Sequence, residues 1–154
     1  MPAWGDEIAI TENGAVDVAQ LNALYRLVGW DSGNGRSEAE TTEMLRVSRY
    51  YIAAHTGAGE LVGFARVGGD PYVAQVLDVM THPHYRRRGI AASCMKGVLS
   101  HLQASRYLSV TLTTREGLAD FYRGFGFQAF KADTTVRMWQ RGTETVGRDS
   151  SDES

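Results

Sequence analysis

Leu77-Asp78-Val79-Met80-Thr81-His82-Pro83-His84-Tyr85-Arg86-Arg87-Arg88-Gly89-Ile90-Ala91 is the stretch on which the reading of this chain turns. The Val-rich run from Tyr72 to Thr81 predicts a strand, and Pro83 cannot continue a central strand, so pairing should end near His82. After a basic turn, residues 89–103 follow helical spacing. The first N–H groups of such a helix have no internal acceptor and lie at the positive end of the helix dipole. Together they suit a phosphate or pyrophosphate. Gly89 lets backbone approach a ligand without a Cβ in the way, and Arg86, Arg87 and Arg88 add charge where a polyanion would sit. The segment lacks both Gly-x-x-x-x-Gly-Lys-Ser/Thr and Gly-x-Gly-x-x-Gly, which excludes a P-loop and a dinucleotide fingerprint. Taken alone, it reads equally well as a helix start with solvated arginines.

Upstream, residues 7–11 predict a first strand. Val16 to Val28 carries an apolar face of Val18, Leu21, Leu24, Tyr25 and Val28, with Asp17 to cap its start and Gly29 to end it. Residues 31–37 read as a loop and 38–48 as a second short helix. Residues 50–54 and 61–67 form a predicted hairpin around Thr56-Gly57-Ala58-Gly59. Downstream, residues 107–113 predict a strand and 116–123 a short helix; 125–130 and 136–139 predict two more strands. Strands interrupted by helices imply a mixed α/β (α+β) sheet flanked by helices. Residues 1–141 read as a single domain, and 142–154 as a polar tail.

The 154 residues are enough to bury a core, and 43% apolar with 22% charged is ordinary for a globular protein. A net charge of −2 gives no bulk attraction to nucleic acid. No apolar run reaches the roughly 18 residues that would span a bilayer. Met1-Pro2-Ala3-Trp4-Gly5-Asp6-Glu7 does not have the pattern of a signal peptide. Cys94 is the single cysteine, which excludes an intramolecular disulfide and a cysteine metal cluster, and a reducing cytoplasm is the expected location.

Arg86-Arg87-Arg88-Gly89-Ile90-Ala91 resembles the signature Gln/Arg-x-x-Gly-x-Gly/Ala of the GNAT superfamily of N-acetyltransferases, and Pro83-His84-Tyr85-Arg86 resembles its lead-in. Phe121-Tyr122-Arg123-Gly124-Phe125-Gly126-Phe127 is similar to a second GNAT segment, Phe-Tyr-x-x-x-Gly-Phe. The resemblance implies a mixed, mostly antiparallel sheet of six or seven strands with about four helices, splayed at the strand before the turn. It implies acetyl-CoA as cosubstrate, its pyrophosphate held by the backbone of Arg86, Arg87, Arg88, Gly89, Ile90 and Ala91. It implies that the backbones of Val79, Met80 and Thr81 pair with the pantetheine arm and polarise the thioester. It also implies Tyr122 as the acid that protonates the departing thiolate, against the plainer reading of a packing aromatic.

The expected reaction is direct attack of a small primary amine on the acetyl thioester in a ternary complex. Asp78, an acid in a Val-rich strand, is the candidate base; its plain alternative is a structural acceptor for backbone N–H groups or an arginine. Asp78-Val79-Met80-Thr81-His82-Pro83, Leu61-Val62-Gly63-Phe64-Ala65-Arg66 and Val28-Gly29-Trp30 also look like the plant-type serotonin (arylalkylamine) acetyltransferases. Some GNAT members carry a glutamate three positions before this aspartate, where this chain has Gln75, which cannot act as a base. His82 and His84 flank Pro83 and read as solvent-facing loop residues ahead of a proton relay, with no third ligand to suggest a metal; His55 and His101 read as surface residues. Cys94 reads as a packed thiol. An aromatic acceptor would need Trp30 and Tyr50, Tyr51 and Tyr72 to line a pocket, although core packing is their default; a polyamine or aminoglycoside would need Asp31, Glu38 and Glu43 to converge. Two other readings stay open: a non-catalytic acyl-CoA-binding regulator, and an acetyltransferase of protein lysines or N-termini. Relatives of this kind are often dimers, so a homodimer is an expectation as well.

Overall fold

The computed structural model describes residues 7–31 and 35–129, and the chain divides after Thr113 into two compact units. In the first, β1 (Ile8–Glu12), α1 (Val18–Leu27) and α2 (Glu38–Val47) precede β2 (Tyr50–Thr56), β3 (Leu61–Gly69) and β4 (Val73–Thr81). A single 3-10 turn, Pro83–Tyr85, leads into α3 (Ile90–Ala104), and β5 (Ser109–Thr111) completes the sheet. The strands lie in the order β1-β2-β3-β4-β5. The first four pair antiparallel, and β5 runs parallel to β4. The sheet is thus mixed and mostly antiparallel, as expected, with five strands among the described residues rather than six or seven.

The helices start where their caps dictate. Asp17 accepts from the amides of Ala19 (2.9 Å) and Gln20 (3.3 Å), satisfying two of the donors that α1 leaves open. Ser37 accepts from the Glu40 amide at 3.1 Å and donates to the Glu40 carboxylate at 2.9 Å. The side chains of β2 alternate between two helical layers. Tyr51 and Ala53 join Leu21, Leu24, Tyr25, Phe64 and Met80 in the core beneath α1. Tyr50 and Ile52 face α3 on the other side, where Gly97 has no room for a Cβ beside them. Gly63 does the same on β3: a Cβ there would overlap Ile90 and touch Ala54, so the glycine lets the first turn of α3 settle on the sheet.

In the second unit, a 3-10 turn at Glu116–Leu118 runs into α4 (Ala119–Arg123). The strand predicted at 125–130 does not form over its described part. The amides of Phe125 and Phe127 turn back onto the Tyr122 carbonyl at 2.9 and 3.3 Å, and that of Gly126 onto Arg123 at 3.0 Å. Gly126, at φ 95, takes the left-handed conformation that ends a helix this way, and the amides so used cannot join a ladder. The strand predicted at 136–139 and the polar tail lie outside the described residues.

Candidate active site

β4 carries the site because two irregularities open it. Its ladder with β5 covers only Val73 to Gln75, opposite Ser109 to Thr111. Beyond Gln75 the strand has no partner on that side among the described residues, as expected for a sheet splayed at this strand. On the other side the register with β3 shifts: Phe64 faces Met80 and Arg66 faces Leu77, so Asp78 and Val79 stand against Ala65 alone. That is a β-bulge, and Asp78 occupies it at φ 56, in the left-handed region. Val79, Met80 and Thr81, the backbone expected to meet a thioester, follow directly; Met80 keeps its side chain in the core, 2% exposed.

One oxygen of the Asp78 carboxylate is held by two donors. Its Oδ2 accepts from the Tyr25 hydroxyl and from Arg66 Nε, both at 2.6 Å. Asp78 and Arg66 are 17% and 18% exposed, and Tyr25 is fully buried. Burial, and then the Asp78 charge, push the Tyr25 hydroxyl well above its ordinary range, so it stays a donor. The Arg36 guanidinium sits 3.4 Å above the Tyr25 ring. Of the two sequence readings of Asp78, this arrangement favours the structural acceptor. In the sequence Tyr25 reads as a core residue and Arg66 as no particular partner; the available signal is a basic and an acidic residue on neighbouring strands of predicted β structure.

After β4 the chain enters the basic turn. Arg87 (φ 66) and Gly89 (φ 76) both take left-handed backbone, a geometry that gathers N–H groups into an anion-binding concavity. Gly89 is the N-cap of α3 with no side-chain cap, and the first turn holds no acidic residue. The Ser93 amide bonds the Gly89 carbonyl at 2.9 Å, which leaves those of Ile90, Ala91 and Ala92 without an acceptor inside the helix. Arg86, Arg87 and Arg88 are exposed, and Arg88 lies over the Tyr85 ring at 5.0 Å. The donors, the uncapped helix start and the charge fit a bound pyrophosphate.

Beside this turn is a cleft of about 550 Å³, lined by Leu27, Glu60, His82, His84, Tyr85 and Arg88 among others. His82 is not the solvent-facing residue that its loop position suggested; its side chain is 12% exposed. Its Nδ1 accepts the His84 amide at 3.1 Å, capping the 3-10 turn. Its Nε2 faces Glu60 at 3.6 Å, and Glu60 also accepts from the Tyr85 hydroxyl at 3.2 Å. With Nδ1 occupied as an acceptor, the neutral ring carries its proton on Nε2 and has no lone pair left for an incoming amine.

The other candidates sort by packing. Cys94 is buried, and burial pushes its thiol up to about 12, which makes it inert. His101 is half-buried rather than a surface residue: it stacks on Tyr50 at 4.7 Å and bonds the Tyr107 hydroxyl at 2.9 Å. Tyr50 and Tyr51 point to opposite faces of the sheet, while Trp30 and Tyr72 are 52% and 65% exposed, so no aromatic pocket unites them. Of the acidic trio, Glu43 is taken up by Arg46 at 2.6 Å and Asp31 accepts the Gly35 amide at 2.9 Å. In the second unit Tyr122 is 7% exposed, with edge contacts to Phe121 and Phe127. Burial raises its hydroxyl above the ordinary value, which keeps it protonated.

The model of a family described as acetyltransferase (GNAT) domain matches residues 33–143. A Glycine max protein named histone acetyltransferase is 28% identical over 146 residues, which cover 87% of this chain and 62% of that protein. Serotonin N-acetyltransferase 2, chloroplastic, of Oryza sativa subsp. japonica is 27% identical over 113 residues, covering 73% of this chain and 56% of its own. Among solved structures, a GNAT-family acetyltransferase from Streptococcus pneumoniae superposes with a TM-score of 0.71 at 28% identity, over 90% of this chain and 100% of its own. The chain therefore spans little more than half the length of the plant relatives.

Proposed function

This chain belongs to the GNAT acetyltransferase family, and on that premise we propose that it transfers acetyl from acetyl-CoA to a primary amine of a small molecule. The observation that carries the proposal is the course of β4, which leaves β5 after Gln75, bulges at Asp78 and runs into the left-handed turn that uncaps α3. Acetyl-CoA supplies the acetyl group as a thioester. Backbone N–H groups from Arg86 to Ala91 bind its pyrophosphate, with the three arginines adding charge. The main chain of Val79 to Thr81 holds the pantetheine arm and polarises the thioester carbonyl. Tyr122, kept protonated by burial, gives its proton to the leaving sulfur. Asp78 serves by shaping the bulge, and the amine proton passes to solvent. The rice relative's name supports an arylalkylamine as acceptor, whereas the soybean relative's name favours a second reading, a protein lysine.

The test is a thermal shift with acetyl-CoA, CoA and desulfo-CoA, followed by thiol release over a panel of arylalkylamines, polyamines, aminoglycosides and a histone peptide. Stabilisation by coenzyme together with thiol release for a small amine is the expected result. Release with the peptide alone would replace the acceptor class. Stabilisation without any release would make the chain a coenzyme-binding regulator, and no stabilisation would overturn the reading.

A further inference from the structure

We propose that Tyr25 and Arg66 are positioning residues of the transfer site: by gripping one oxygen of Asp78 they fix the β4 bulge, and so set the direction in which the Val79 and Met80 main chain meets the thioester. The inference rests on the acetyl-transfer reading above and adds to it two side chains that belong to neither sequence motif.

Asp78 holds φ 56 within a strand. An L-residue keeps such backbone only where its surroundings over-determine it. Here two donors from different elements converge on one atom: the Tyr25 hydroxyl from α1 and Arg66 Nε from β3, each 2.6 Å from Oδ2. A carboxylate between a guanidinium and a phenol makes charge-assisted hydrogen bonds, the strong class. Neither donor is loose. Tyr25 is fully buried with Arg36 stacked 3.4 Å above its ring, and Arg66 stands opposite Leu77 in the ladder. The bulge is what sets two residues of β4 against Ala65. Without a grip on Asp78 the strand is free to relax toward regular pairing, which turns the following amides away from their present direction. The three side chains thus act on main chain: the carboxylate holds the turn, and the turn aims the amides.

Tyr25→Phe keeps the buried ring and removes only the hydroxyl; Arg66→Gln removes the charge. At a temperature where every variant is fully folded, kcat should fall on the order of tenfold to a hundredfold, as displaced reacting groups typically cause. The KM for acetyl-CoA should rise by less than kcat falls, because the displaced Val79 to Thr81 main chain loosens the pantetheine arm while the pyrophosphate turn is untouched. The double variant should lose little more than the worse single one, since both donors act through one oxygen. Unchanged kcat in folded single variants would mean a purely structural clamp and would overturn the inference, as would fully additive losses. A second readout does not need the acceptor. In 1H–15N spectra of Tyr25→Phe the Val79 and Met80 amides should shift while those of β1 and β2 stay in place. Unmoved Val79 and Met80 resonances would overturn the positioning role. Wild-type protein that releases no thiol with any amine would instead overturn the acetyl-transfer reading, and the amide shifts would then decide the grip on the bulge separately.

Discussion

Replacing Gly89 with alanine tests the coenzyme turn at its least replaceable position. Gly89 holds φ 76 and ψ 15, and nothing lies within 4 Å of where a Cβ would be placed. The penalty is therefore backbone strain without any clash, roughly 1–2 kcal/mol for an L-residue in left-handed conformation. The strain has two outlets. If the turn keeps its shape, the folded state bears the whole amount, and for a domain of this length the melting temperature drops by about 2–8 °C at 2–4 °C per kcal/mol. If the turn relaxes to negative φ, stability is spared. The Ile90 and Ala91 amides then leave the concavity, and CoA binds about five- to thirtyfold more weakly for the same 1–2 kcal/mol. The two losses should together amount to roughly 1–2 kcal/mol, however they divide. Calorimetric titration with CoA and thermal unfolding of the free protein measure both. Gly89→Asn is the control, because asparagine enters the left-handed region several-fold more readily than most residues. An alanine variant matching wild type in both assays, or an asparagine variant as impaired as alanine, would show that left-handed backbone at Gly89 is not what the turn requires.

Tyr122→Phe should cost on the order of 10²–10⁴ in kcat with CoA binding retained, read by steady-state kinetics beside titration. Because burial raises the Tyr122 hydroxyl above its ordinary 10.0, the wild-type rate should show no alkaline loss from this group below that pH. Cys94 should resist alkylation in the native protein and react on unfolding, as followed by intact mass. Its folded value of about 12 exceeds the ordinary 9.0, so the stability gained by burying it neutral is intact below about pH 9 and fades as pH climbs toward 12. Cys94→Ala should flatten that alkaline decline in urea unfolding. Gly63→Val should destabilise by about 1–3 kcal/mol in urea unfolding, because the added Cβ overlaps Ile90 in the first turn of α3.

The fold was legible in the sequence wherever local pattern and tertiary packing ask for the same residues. Asp17 and Ser37 cap helices that begin within a residue or two of their predicted starts, and the Val-rich run became β4. The hairpin strands proved longer than predicted, because Thr56 pairs with Ile8 of β1 and Gly69 with Ala74 of β4, partners outside the hairpin itself. The prediction failed at Phe125 to Gln128 for a nameable reason. Phe125, Phe127, Ala129 and Phe130 suggested a strand, but Gly126 committed the amides on either side of it to the end of α4. A helix-terminating glycine and a strand start look alike when only apolarity is weighed.

The candidate site divides along a different line. Groups that act through main chain announce themselves by glycine, proline and helix starts, which is why residues 86–91 stood out before any geometry was known. Groups that act through side chains depend on partners distant in sequence. Asp78 reads equally as a base or a structural acceptor, and only the fold brings Tyr25, 53 residues away, and Arg66, 12 away, to its Oδ2. His82 reads as a solvent-facing loop residue until its Nδ1 is found on the His84 amide and its side chain only 12% exposed. In both cases the partners lie where no local pattern points to them. A fold that binds coenzyme and aims the thioester through backbone leaves its acceptor pocket free to vary. On that account the acceptor should be written in side chains around the splay of β4, and those carry no local signature.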